Sequence, residues 1–163
     1  MFLKKIFLTA IMIFTLLLAN ISSTMAAGWV KIYSDSGCTA YIDVTSLRYD
    51  KRFGSDVYCA TFKLQFNEQG RKIIINRWLS GVGILPEGIE DVSTEMALVY
   101  FKGGSSKCYM SGMKTSYYTS KGKLIPKMSF VIDKPQWFEV KPNSIGDAEY
   151  LAASLRIGRE PNL

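Results

Sequence analysis

Histidine is missing from this 163-residue chain. That absence removes a His-containing catalytic triad, a His-ligated zinc site and a histidine pH switch. Cysteine is scarce, with only Cys38, Cys59 and Cys108, and no two stand at close ligand spacing, so neither a metal nor another cofactor is implied. Acids are in the minority, 14 Asp and Glu against 20 Lys and Arg, for a net charge of +6. Beyond Ala26 there is no long apolar run, no internal repeat, no low-complexity tract and no linker. The whole chain is 48% hydrophobic and 13% aromatic. A disordered chain could not carry that much burial-seeking surface, and the length suits one domain.

The start of the chain reads as an export signal. Lys4 and Lys5 precede an uncharged apolar run from Ile6 to Ala19, and a polar stretch then ends in Thr24-Met25-Ala26. Small residues at the last and third-last positions suit signal peptidase, which places the cut after Ala26. The run is short of the ~20 residues a spanning helix needs, so the cleaved product carries no stable transmembrane segment. The expected organisation is a signal peptide over 1–26 and a single domain over 27–163, periplasmic or released to the cell surface.

Export puts the cysteines where disulfides persist. Cys38 opens one expected strand and Cys59 lies in another, so a Cys38–Cys59 bridge is the candidate pairing if those strands are neighbours. Its loop of about twenty residues would contribute ~3 kcal/mol in the loop-entropy account. The competing reading is three small buried apolar side chains.

Alternation predicts a hairpin from Trp29–Tyr33 and Thr39–Asp43 around the turn residues Ser34-Asp35-Ser36-Gly37. Residues 43–47 suggest a short helical turn. Asp56–Phe66 is the clearest strand: Tyr58, Ala60, Phe62, Leu64 and Phe66 fall on one face, Thr61, Lys63 and Gln65 on the other. Arg71–Leu79 fits either state, because Ile73-Ile74-Ile75 favours a strand while Ile74/Trp78 and Ile75/Leu79 have helical spacing. Residues 80–91 read as a loop. Three further strands, 93–101, 107–119 and 124–130, follow with Gly- and Ser-rich turns, so the sheet should be an antiparallel meander. Ser144, with Asp147 three residues on, opens an amphipathic terminal helix carrying Ile145, Ala148, Leu151, Ala152 and Leu155. The class is α+β: about six antiparallel strands with a C-terminal helix packed on them.

Between Ala97 and Ile132 stand Lys102, Lys107, Lys114, Lys121, Lys123 and Lys127 with no acid, interleaved with aromatics and Met. Lys107, Tyr109, Lys114, Tyr117, Tyr118, Lys121 and Lys123 are therefore the candidate binding surface for an anionic partner. Against one coherent patch, Lys107 and Lys114 have opposite parity on one strand, and Lys is also a common guard on strand edges. One of Tyr117 and Tyr118 should face the core. Nucleic acid is not indicated, since the stretch has no Arg fork. Catalysis finds no constellation either. Ser111 and Lys114 match Ser-x-x-Lys, but strand parity puts them on opposite faces. The chain does not read as an enzyme.

Three stretches, WVKIYSDSGCTAYIDVTSL, YYTSKGKLI and QWFEVKPNSIGDAEYLAASL, resemble the surface-adhesin protein E-like family of small exported bacterial proteins. Trp137, Pro142, Ser144, Ile145 and Gly146 carry the C-terminal part of that likeness. The resemblance implies an antiparallel sheet with a terminal helix packed on it, and better-studied relatives are outer-membrane adhesins that bind host matrix proteins. This chain departs from the family by having no lipoprotein cysteine. It also has Ala153, Ser154 and Leu155 where a cysteine often ends the final helix, which leaves Cys108 as the leftover thiol. The functional expectation is an exported, non-catalytic binding module of the envelope, adhesin-like toward an unidentified protein or an anionic envelope or host component. The alternative is a small structural periplasmic protein resting on anionic membrane through its Lys-rich strands.

Overall fold

The structure, a computed structural model, describes residues 28–103 and 107–158. The expected leader and its cut lie outside the described residues. Seven strands form one antiparallel sheet in the order β1-β2-β3-β4-β5-β6, with β7 also pairing with β5. The strands are β1 (Trp29–Ser34), β2 (Cys38–Tyr49), β3 (Tyr58–Phe66), β4 (Val92–Gly103), β5 (Cys108–Thr119), β6 (Phe130–Val131) and β7 (Phe138–Glu139). Helix α1 (Glu68–Val82) lies between β3 and β4, and α2 (Ile145–Arg156) closes the described chain. The expected α+β meander with its terminal helix is the observed architecture.

Residues 71–79 are helical for reasons on either side of the ambiguous Ile triplet. The Asn67 side chain accepts the Gly70 N–H at 3.1 Å, capping the first turn. Lys72 pairs with Glu68 at 2.8 Å one turn back. Gly83, left-handed at φ 75°, closes the end by donating its N–H to the Leu79 carbonyl. The helix runs on to Val82, into the expected loop.

Three local expectations are corrected. Residues 43–47 are not a helical turn. The β2/β3 pairing resumes at Arg48 after a bulge, where the Ser46 hydroxyl accepts the Thr61 N–H at 2.7 Å in place of a backbone carbonyl. Residues 124–130 are not a continuous strand either. Leu124 makes an isolated bridge to Tyr118, Pro126 starts a 3-10 turn over Pro126–Met128, and only Phe130–Val131 pairs with β5. Proline has no N–H to give a ladder, which is why the strand breaks there. Finally, no Cys38–Cys59 bridge exists, and all three cysteines are thiols. Their strands are neighbours, as that pairing required, but Cys38 stands opposite Phe66 at one end of β3 and Cys59 lies near the other end, opposite Arg48. At ~3.3 Å per residue the two are beyond disulfide reach.

One face of the sheet is covered. Ile42, Tyr58, Ala60, Phe62, Val99 and Phe101 pack under Tyr150 and Ala153 of α2. At the other end of that face, Ile74 of α1 joins Ile89, Val92, Ile125 and Met128, with Phe66 and Trp78 alongside. Burying Phe62 or Phe101, each at most 1% exposed, contributes ~1.5–3 kcal/mol. Ser144 caps α2 by accepting the Asp147 N–H at 3.2 Å, as its position in the sequence indicates. Tyr58 and Ser154 share a buried 2.5 Å hydroxyl hydrogen bond that ties helix to sheet.

Candidate functional site

The opposite face carries a small cluster at one end: Val57, Cys59, Tyr100 and Met113, capped by Phe53 and Trp137. Asp50 anchors the segment that brings Phe53 over. Its carboxylate accepts from Arg52 Nε at 2.9 Å and from the Tyr100 hydroxyl at 2.8 Å. The Arg52 hydrogen bonds hold the Asp50 carboxyl well below the usual carboxylate range, against the opposing effect of burial. Burial, and then the neighbouring Asp50, push Tyr100 up to about 12.

Beyond that cluster, no helix packs on this face among the described residues, and register decides what it presents. Directly paired residues put their side chains on one side of a sheet. One row therefore runs Lys31, Tyr41, Lys63, Met96, Ser116 across β1 to β5, and the next runs Trp29, Asp43, Thr61, Leu98, Lys114. Arg48, Thr61, Leu98, Lys114 and Tyr118 surround a shallow depression of about 310 Å³. Lys63 lies 4.7 Å from the ring centres of both Trp29 and Tyr41, a double cation–π contact. Asp43 is committed locally, accepting Thr45 Oγ1 at 2.6 Å and the Thr45 N–H at 3.0 Å. Among the described residues Lys31, Arg48, Lys63 and Lys114 make no ion pair with an acid. The open face is thus cationic, with aromatic and Met surface between the charges.

The expected binding residues distribute unevenly. Lys114 and Tyr118 are on this face. Tyr117 is not: it faces the covered side opposite Glu95, so the adjacent tyrosines do split between faces as alternation requires. Lys107 is neutralised by Glu139 of β7 at 2.8 Å. Tyr109 is packed under Lys102, whose ammonium also lies 4.5 Å from the Trp137 ring. Lys121 and Lys123 sit in the exposed turn after β5. Cys38 and Cys59 are buried and Cys108 packs at the edge of the α2 core.

The two parity arguments that involve Lys114 fail for a specific reason. The β4/β5 register shifts between Leu98 and Val99, which pair with Lys114 and Gly112, so Met113 is bulged out of the ladder. The bulge returns Lys114 to the side occupied by Tyr109 and Ser111. Lys107, two residues before Tyr109, therefore shares parity with Lys114, and Ser111 shares its face too. Ser111 nonetheless stays a structural residue: it is 1% exposed, and its hydroxyl accepts the Gln136 N–H at 3.0 Å.

Lys31, Arg48, Lys63, Trp29 and Tyr41 do not stand out in the sequence, where the one acid-free run of lysines falls on β4, β5 and the turns that follow. Their signal was the out-facing half of the alternation in β1–β3, and strand pairing turns those separate positions into neighbours. The sequence also does not mark Glu149, which is 5% exposed, or the half-buried Glu95, whose charge acts on it.

No family model, curated protein or solved structure matches this chain. Among the described residues no helix is long and apolar enough to cross a membrane.

Proposed function

We propose that this chain is an exported, non-catalytic binding module whose open sheet face takes an acidic protein partner, in keeping with the adhesin E-like resemblance of its sequence. One observation carries the reading: four cations, Lys31, Arg48, Lys63 and Lys114, share one face with no acid paired to any of them among the described residues. Trp29, Tyr41, Met96 and Tyr118 lie among them. Aromatic, Met and Arg enrichment is the composition of protein interfaces, whereas a polyanion or a lipid headgroup layer asks mainly for charge.

The test is capture by the immobilised domain from envelope extract and from matrix proteins. Saturable binding that weakens with salt, and that Lys63→Glu with Lys114→Glu reduces at least about tenfold, supports the reading. Capture indifferent to both substitutions overturns it. Retention by anionic vesicles with no protein ligand found would instead favour the membrane-associated alternative.

A further inference from the structure

Register builds the depression on the open face. Thr61 of β3 and Leu98 of β4 are direct partners, and Leu98 is paired in turn with Lys114 of β5. Met96 and Ser116 face each other in the next row, and Tyr118 stands in the row after that, opposite Thr94. Arg48 enters from β2, paired with Cys59, which lies two residues before Thr61 and so on the same side of β3. Thr61 and Ser116 are short, while Arg48, Lys114 and Tyr118 around them are long, and the sheet surface dips between them by about 310 Å³. The bulge at Met113 delivers Lys114 to this rim.

Both charged groups that line the depression are cations, Arg48 and Lys114, and no acid lines it. Arg48 Nη1 donates to the Ser46 carbonyl at 2.8 Å, which steadies the guanidinium. Its Nε–Nη2 edge has no partner among the described residues. That edge takes a carboxylate through two parallel hydrogen bonds. Asp43, paired with Thr61, is the acid nearest in register, and it is committed to Thr45 and forms no ion pair with either cation. Lys63 stands in the adjoining row, held over the Trp29 and Tyr41 rings. No hydrogen bond engages the Thr61, Ser116 or Tyr118 hydroxyl among the described residues. Met96 and Leu98 add an apolar floor beside the charges.

We infer that this depression seats one glutamate side chain of the partner, its carboxylate against Arg48 and Lys114 and its methylenes on Met96 and Leu98; the inference rests on the open face being a protein-binding surface. Two cations with no acid beside them select an anion. The free arginine edge selects a planar carboxylate. The apolar floor selects a carboxylate on an aliphatic stem, because a bare anion leaves Met96 and Leu98 in water. Aspartate, one methylene shorter, covers less of that floor. The three hydroxyls are left to meet the partner's backbone on either side of its glutamate. Arg48 is thus a specificity-determining residue, and the depression is the anchor of an otherwise flat charged face.

The experiment is an amide-shift NMR titration of the full chain at low ionic strength with a doubly capped glutamate (acetylated amine, amidated α-carboxyl). The same capped forms of aspartate and glutamine, and acetate, are the comparisons. Expected are saturable shifts centred on Thr61, Leu98 and Ser116 with capped glutamate, binding at least about threefold weaker with capped aspartate and acetate, and none with capped glutamine. Arg48→Gln should weaken capped glutamate at least about tenfold, while Lys31→Gln, on the edge strand of the same face, should change it less than about twofold. Ser116→Trp fills the depression without altering a charge, at a strand position that suits an aromatic, and should abolish binding. A thermal melt checks that each variant folds. The capture assay separates this inference from the proposed function. Capture that Lys63→Glu with Lys114→Glu reduces, but that Arg48→Gln and Ser116→Trp leave unchanged, keeps the open face as a binding surface and overturns the seat. Capture indifferent to all of these overturns both. Absence of saturable shifts, equal binding of capped glutamine or acetate, or probe binding unchanged by Ser116→Trp overturns the seat alone.

Discussion

Gly70, in the first turn of α1, meets Gly37, in the β1–β2 turn, backbone to backbone. A Cβ on Gly70 would run into the Gly37 carbonyl oxygen, the same oxygen that accepts the Asn67 N–H at 3.1 Å. The Asn67 side chain also donates to the Ser36 carbonyl at 2.7 Å, so the cap of the helix and the hairpin turn are one joint. Gly70→Ala would gain up to about 1 kcal/mol of helix propensity but must open this joint. The expected net result is a loss of ~1–3 kcal/mol, the usual cost of overpacking. Urea unfolding should show it, and Gly81→Ala in the same helix, where a Cβ meets open space, should not.

Asp50 makes stability depend on acid pH. Its folded carboxyl is held below the ordinary range by Arg52, so its contribution is fully present above the unfolded carboxylate value near pH 4 and is lost as pH falls toward the depressed folded value. Urea midpoints should drop between pH 5 and pH 2, and Asp50→Asn should flatten that limb while lowering stability at pH 7.

Glu149 acts with the opposite sign. Its carboxyl is raised to about 8, first by burial and then by Glu95. The contribution is complete below the unfolded value near 4.3 and is lost as pH rises through about 8. Glu149→Gln should therefore gain at least about 1 kcal/mol at pH 9, roughly 3 °C in Tm for a domain of this size, and little at pH 5.

The three thiols give a direct chemical check. The intact mass of the chain should be the same before and after reduction. Under native conditions Cys59, fully buried, should alkylate far more slowly than it does in denaturant. A mass lower by two hydrogens for a linked Cys38–Cys59 peptide pair in the unreduced mass map would contradict the register described above.

Phe101 is 0% exposed and packs with Tyr58, Phe62 and Tyr150. Phe101→Ala should cost ~3–5 kcal/mol, enough to unfold a marginal domain in a thermal melt.

Local chemistry was legible wherever a single short-range rule applied. Tyr58 to Phe66 alternates because one face must be buried. Ser144 caps α2 because a hydroxyl there can reach the Asp147 N–H. The Ile73-Ile74-Ile75 stretch was not legible, because β-branching and helical spacing oppose each other within it. The decision came from Asn67, Lys72 and Gly83 at its borders. Residues 124–130 misled because their composition suits a strand while Pro126 withholds the N–H the ladder needs.

The sequence alone determined the antiparallel α+β class, the covered and open sides of β3 and the start of the last helix, since each depends on residues within a few positions of one another. Tertiary structure alone decided which charges share a surface. The bulge at Met113 brings Lys114 onto the face of Tyr109 and Ser111, strand pairing places Lys31, Tyr41 and Lys63 in one row, and helix packing buries Glu149 where the charge of Glu95 acts on it. A side chain's face inverts with a one-residue slip, and only the summed packing of the whole sheet fixes that slip.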